Sequence, residues 1–293
     1  MDLSTWLSDT QYLISVDFVQ HALIASALLG LLSGVIAPLI VVRQQSFAVH
    51  GTAELALMGA AAALLFGLNV GGGAVIGSVV AAILLALLGM KQQDSAVGAV
   101  MSFGLGLSVL FIHLYPGRSS TAFSLLTGQI VGVSSSSLWI LVAVTVIVVS
   151  AVVIFWRPLL FASADPIMAQ ASGVNVRFIA VAFAVLVGLT TSQSVQIVGA
   201  LLVMALLITP GAAAVAVTAN PVKAVVLAVI FAEVSAVGGL LLSLAPGLPV
   251  SVFVTTISFV IYLVCRLIGW LRGRDAQRDE DAFRRRQHDH HPH

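Results

Sequence analysis

Apolar residues come in long blocks along this chain, divided by short clusters of Gly, Pro and charged residues. Each block is roughly 20 residues long, enough to cross a bilayer as one helix. Taking the clusters as punctuation predicts nine spans, at about 19–42, 47–67, 70–90, 95–115, 137–156, 177–192, 195–217, 222–244 and 249–271. The sixth is short, and the second is rich in small residues and weakly hydrophobic at its start. Eight and ten are therefore the neighbouring counts.

Composition agrees with that pattern. Of 293 residues, 59% are hydrophobic and 9% charged, and mean hydropathy is +1.10. Soluble domains carry about 25% charged residues, so the expected fold is all-α: a polytopic transmembrane helical bundle. Charge placement then orients it. An N-out, C-in chain of nine spans puts Arg43, Lys91, Arg157, Arg177, Lys223 and the Arg-rich tail from Arg266 on the cytoplasmic side, and leaves Arg118 outside. The transmembrane domain is expected over 1–272 and a charged, His-rich cytoplasmic tail over 273–293. A net charge of +1 suggests no nucleic-acid partner. The first seventeen residues hold three Asp and no Lys or Arg, which does not fit the leading region of a signal peptide. The single cysteine, Cys265, rules out an internal disulfide and reads as a small core hydrophobe.

Small residues crowd several spans, as in "GLLSGV" and "GGGAVIGSVVAA", and permit close helix–helix approach in lipid. Nothing resembles a phosphate-cradling Gly-x-x-x-x-Gly-Lys-Ser/Thr loop. If transport here is driven by ATP, another chain must supply the ATPase.

The cytoplasmic loop 157–176 is longer than the other connections. Asp165 and Pro166 form a helix-start pair, Gly173 is a natural stop, and Ile167, Met168 and Ala171 share one helical face between them. The pattern describes a short amphipathic helix. It is either a connector lying on the membrane surface or a coupling helix that docks into an ATPase groove.

Ionisable groups inside spans cost about 2.5–3.5 kcal/mol on insertion scales and are functional candidates by default. Asp94 lies beside Lys91 at a cytoplasmic end and reads as solvated. His21, close to Asp17, and His113, just before "YPG", read as interfacial. His50, Glu54 and Glu233 are different. Glu54 is about 16 Å along a helix from Arg43 and Glu233 about 15 Å from Lys223, near the middle of a core about 30 Å thick. His50 and Glu54, at i and i+4, share a face. An imidazole and a carboxylate one turn apart make a half-site for a divalent cation such as Zn²⁺ or Mn²⁺; the plain alternative is a hydrogen-bonded pair that locks helices. Glu233 is a candidate for the same pathway or for a structural contact. Pro210–Gly211, in "LLITPGAAA", would break span seven, and "TTSQSVQ" at 190–196 reads as a polar, outward-facing turn.

These residues, and five segments in order, resemble the membrane permease of the bacterial zinc/manganese ABC importer family: "VVRQQSFAVHGTAELALMG", "DSAVGAVMSFGLGLSVL", "LLTGQIVGVS", "DPIMAQASGV" and "VQIVGALLVMALLITPGAAA". The resemblance covers about residues 19–271. The family pattern of the first segment is Arg-x-x-Ser, then Asp, then His four residues on. Arg43 and Ser46 match, while the Asp position is His50 and the His position Glu54. The metal-competent pair is kept with its chemistry exchanged.

The resemblance implies a metal/cobalamin-type ABC importer permease fold in the bacterial plasma (inner) membrane, surrounded by lipid. It implies a homodimer of permeases, two cytoplasmic ATPase subunits docking at 165–173, and an external metal-binding lipoprotein or periplasmic protein. The leading expectation is a non-enzymatic transport subunit for zinc, with no permanently bound cofactor. Manganese, iron or a metal chelate is the alternative cargo. An ion-coupled secondary transporter using Glu54 and Glu233, and a structural membrane subunit, are the rivals from other classes. The terminal His288, His290, His291 and His293 either collect Zn²⁺ or belong to a plain polar tail.

Overall fold

The computed structural model describes residues 13, 15–87, 93–117, 125, 133–199, 202–244 and 248–289. Their regular structure is helical: α1 (Asp17–Val42), α2 (Ser46–Leu65), α3 (Val70–Leu87), α4 (Gln93–Leu114), α5 (Ser135–Ile154), α6 (Trp156–Ala164), α7 (Pro166–Ala171), α8 (Val176–Val198), α9 (Val203–Leu207), α10 (Thr209–Val217), α11 (Pro221–Leu244) and α12 (Val250–Asp289).

Among the described residues, seven helices are long and apolar enough to cross a membrane: α1, α2, the 97–114 part of α4, α5, α8, α11 and the 250–272 part of α12. Two shorter apolar stretches, Val70–Ala86 and Val203–Val217, stand where the third and seventh spans are expected. Lys91 and Arg118, two of the charges used to orient the chain, lie outside the described residues, as do His290, His291 and His293.

One boundary differs from expectation. The stretch 190–196 is not an outward-facing turn but the interior of α8, which runs unbroken to Val198 and ends at Gly199, φ +85°. Hydroxyl groups let a polar sequence stay helical in an apolar bundle. Thr190 donates to the Leu186 carbonyl at 2.8 Å, Ser194 to Thr190 at 2.9 Å and Ser192 to Leu189 at 2.8 Å. Their polarity is absorbed by their own helix, and Thr190 to Ser194 are all buried. The break expected near Pro210 is present. It falls at Ile208, between α9 and α10, with Pro210 in the first turn of α10, where its missing N–H costs least.

α1 is the centre of the bundle: 72% of its apolar window is buried, against 17% for α4 and for α12. It packs on α11, α10 and α5, while α2 packs on α3, α4 and α8, and α12 covers α10 and α11. Leu29, Leu32, Ile36 and Ile40 of α1 meet Leu57 of α2, Leu141 of α5, Phe183 of α8 and Leu206 and Leu207 of α9 in one core. The outer faces of α4 and α12 carry exposed Phe103, Val109, Phe259, Val260 and Leu263, a surface suited to hydrocarbon. α2 and α3 approach most closely at Gly59, Gly73 and Gly77; a Cβ on Gly59 would collide with the Gly73 carbonyl. α12 continues as a helix beyond its apolar part, and Arg272 donates to the Val217 carbonyl at the end of α10, 3.3 Å away.

Candidate metal site in the second span

The turn that launches α2 is short and pinned. Gln44 takes a left-handed conformation, φ +55°, and Gln45 N–H reaches back to the Ile40 carbonyl. Arg43 holds this turn from outside. Its Nε donates to Ser163 Oγ at 2.7 Å, one Nη to the Leu159 carbonyl at 3.3 Å, and its guanidinium lies 4.3 Å from the centroid of the Phe183 ring. Burial lowers its pKa to about 10, so the cation persists at neutral pH. Arg43 thus ties the α1–α2 turn to α6 and α8. The hydropathy pattern marks Arg43 as a cytoplasmic edge but carries no record of which distant helix a cation touches.

Two turns into α2 the expected pair appears. Glu54 is buried and His50 half-buried, one helical turn apart. His50 Nδ1 and Glu54 Oε2 are both buried, and neither has a hydrogen-bond partner among the described residues. The small side of α2 lets α4 close over this region: Gly104 packs on the backbone of Glu54 and the side chain of Leu55, and Gly51 faces Val97 and Met101. Thr52, between the two, turns its hydroxyl to the Ala48 carbonyl at 2.8 Å and takes no part. An unpaired buried polar atom costs about 1–3 kcal/mol, more when it is charged. The two atoms on neighbouring turns are one nitrogen and one oxygen, the donor types that divalent transition metals accept.

Glu233 does not join them. It projects from α11 onto α1, where a Cβ on Gly30 would come within 2.9 Å of its Cδ. Among the described residues no three His, Cys, Asp or Glu side chains gather in one place. Glu233 belongs to the α1–α11 contact. His21 is half-buried near the outer start of α1, and His113 is exposed in the last turn of α4. His288 lies near the end of α12.

On the cytoplasmic side, α7 forms as the 157–176 loop suggests. Asp165 Oδ1 accepts from the N–H groups of Ile167 and Met168 at 3.1 and 2.9 Å, Pro166 occupies the first turn, and Gly173, φ +86°, ends the segment. Ala169 is buried, whereas Ile167 is 81% and Met168 57% exposed, and Ala171 is exposed beside them. Apolar side chains this exposed on a well-capped single turn present a ready contact surface.

The chain is 34% identical over 266 residues to the manganese transport system membrane protein MntC of Listeria monocytogenes, covering 88% of this chain and 95% of that one. It is 33% identical over 201 residues to the manganese import system permease protein ScaB of Streptococcus parasanguinis, covering 67% and 71% respectively. Its fold matches a chain of PsaBC from Streptococcus pneumoniae, solved in complex with Fab, with a TM-score of 0.80 at 24% identity over 90% of this chain and 95% of that chain. The ABC 3 transport family matches residues 15–269, nearly the whole of the membrane domain. This protein belongs to that family, as a multi-pass permease subunit of a metal-importing ABC transporter in the bacterial plasma membrane.

Proposed function

We propose that this subunit carries a divalent transition metal inward and that the ion pauses between His50 and Glu54. The observation that supports the reading is the pair of orphaned buried atoms, His50 Nδ1 and Glu54 Oε2, on adjacent turns of α2. One imidazole and one carboxylate bind without a thiol, and the incomplete set suits an ion that must be released. Manganese is the first cargo to test. Relatives covering most of this chain are named for manganese, and carboxylate and water oxygens are ligands that suit Mn²⁺. Zinc, favoured on the sequence because of the His-rich tail, becomes the competitor, with iron behind it.

Transport belongs to residues 1–272, and 273–293 is a cytoplasmic extension. Two copies of the chain pair across the membrane, and an external metal-binding protein delivers the ion. A separate ATPase docks on α7 through Ile167, Met168 and Ala171, with Asp165, Pro166 and Gly173 shaping the helix. The catalytic work of hydrolysis lies on that chain.

The test is uptake of radioactive Mn²⁺ and Zn²⁺ into proteoliposomes holding the permease, its ATPase and the delivery protein. Wild-type complex imports metal only with ATP, Mn²⁺ in preference, and His50→Ala and Glu54→Ala abolish uptake in complexes that still assemble. Uptake that survives both substitutions refutes the site, and uptake that survives without ATP refutes the ABC mechanism. Deleting residues 287–293 without changing the zinc response reduces the tail to a spacer.

A further inference from the structure

The Arg43 guanidinium stands where the end of α1, α6 and α8 meet, between the surface offered to the ATPase and the helix that carries His50 and Glu54. On one side of it α6 and α7 form a unit. Asp165 closes α6 by giving its N–H to the Phe161 carbonyl at 3.0 Å, and its carboxylate caps α7, so one residue serves both helices. Buried Ala169 of α7 lies in the same core as Leu159 and Ala162 of α6 and Ile179 and Phe183 of α8. A push on the exposed face of α7 therefore displaces α6 with it. On the other side is the turn before α2. Gln44, at φ +55°, occupies the left-handed region, which residues other than glycine adopt at a cost and which recurs in switch segments. α2 begins at Ser46, and His50 and Glu54 follow Arg43 by about two and three helical turns.

The link between the two sides is specific. Ser163 gives its own proton to the Leu159 carbonyl, which leaves its oxygen free to accept Arg43 Nε–H at 2.7 Å, and an Arg43 Nη reaches that same carbonyl at 3.3 Å. Two donors of one planar fork thus grip one turn of α6, while the face of the fork lies on Phe183, itself buried in α8. The body of α2 packs on α3, α4 and α8, whereas its start is tied through Arg43 to α6. A shift of α6 relative to α8 then acts on the start of α2 as on the short arm of a lever.

We infer that Arg43 is the coupling residue of this subunit: through Ser163 and Leu159 it carries a displacement of the α6–α7 docking unit to the Gln44 turn, which re-angles α2 and moves His50 and Glu54. The inference rests on the proposed function above. Arg43 is a positioning residue and needs no contact with the ion. Loss of a metal ligand removes metal binding, and loss of a docking residue removes the ATPase. Loss of this link leaves both and lowers the amount of metal moved per ATP hydrolysed.

The experiment uses the full complex of permease, ATPase and delivery protein in proteoliposomes and measures Mn²⁺ uptake and ATP hydrolysis in the same preparation. The rise in Tm on adding Mn²⁺ to the purified complex monitors the metal site separately. Arg43→Ala is expected to lower uptake about tenfold while hydrolysis stays within about twofold and the Mn²⁺-induced rise in Tm persists. Ser163→Ala, a milder change that carries the test if Arg43→Ala does not assemble, lowers uptake about threefold, and Ser163→Thr, which keeps the hydroxyl, restores it. The double variant Arg43→Ala/Ser163→Ala transports no worse than Arg43→Ala, because the two residues act as one link. Uptake unchanged in Arg43→Ala or Ser163→Ala overturns the inference, and so do additive losses in the double variant. Uptake and hydrolysis that fall by the same factor, or a lost rise in Tm, also overturn it and make Arg43 a static brace. Failure of the proposed function is recognised separately: the wild-type complex then takes up no Mn²⁺, His50→Ala takes up as much as wild type, or Ile167→Glu leaves ATPase association unchanged.

Discussion

Two buried polar segments sit side by side in this bundle and behave in opposite ways. In α8, the hydroxyls of Thr190, Ser192 and Ser194 are each returned to a carbonyl of the same helix. In α2, His50 Nδ1 and Glu54 Oε2 are left without partners. Polarity inside a membrane therefore does not by itself mark function. The informative quantity is what remains after a helix has satisfied its own side chains. By that measure α2 keeps two unsatisfied atoms on adjacent turns, and α8 carries mainly absorbed polarity, with Thr191 and Gln193 as its exceptions.

The contrast breaks most sharply at the pair itself. Glu54→Ala is expected to lower Mn²⁺ uptake at least about 10–100-fold, the range over which disturbing metal ligation reduces affinity or activity. A thermal-shift measurement reads the same loss independently: Mn²⁺ raises the Tm of the wild-type protein by binding the folded state and leaves that of Glu54→Ala unmoved. Next comes the cytoplasmic surface. Ile167→Glu places a charge in the exposed apolar turn of α7 and is expected to weaken ATPase association about 30-fold, as loss of a contact worth about 2 kcal/mol does. Co-purification and titration of the purified ATPase check it.

Arg43→Ala should leave the ATPase bound and hydrolysing while uptake falls about tenfold, because the turn before α2 loses two charge-assisted hydrogen bonds and a ring contact. Arg43→Lys does not restore coupling, since an ammonium cannot keep both bonds and stack on Phe183. The smallest effect belongs to α8. Ser194→Ala deletes a bond of the kind worth about 0.6 kcal/mol on average in membranes, and uptake stays within about twofold of wild type. A large loss there would erase the distinction between the two helices.

Much of the architecture could be read from hydropathy because each span must hide its own backbone from lipid, and that requirement leaves a long apolar block. The failure at 190–196 has the same origin. Hydropathy counts a serine as a group that seeks water and does not register that its hydroxyl can bond one turn back. His50 and Glu54 could be read because their spacing is local. The contact of Glu233 with Gly30 in α1 could not be read, because the two residues are remote in the chain. The partners of Arg43, Leu159, Ser163 and Phe183, could not be read for the same reason, being remote in sequence. The preference for zinc leaned on terminal histidines, and a nitrogen–carboxylate pair does not separate zinc from manganese.

The glycine contact between α2 and α3 bears on how this protein is made. α2 is the least hydropathic of the seven long spans, weighed down by its buried imidazole and carboxylate and by alanines and glycines that contribute little to partitioning. A segment of that kind enters a bilayer poorly by itself. It needs α3 arriving immediately after it, so that Gly59 and Gly73 can close and the two insert as a helical hairpin. Enlarging Gly73 should then appear first as a defect of biogenesis, with chains retained at the insertion machinery or degraded, before any question of transport arises.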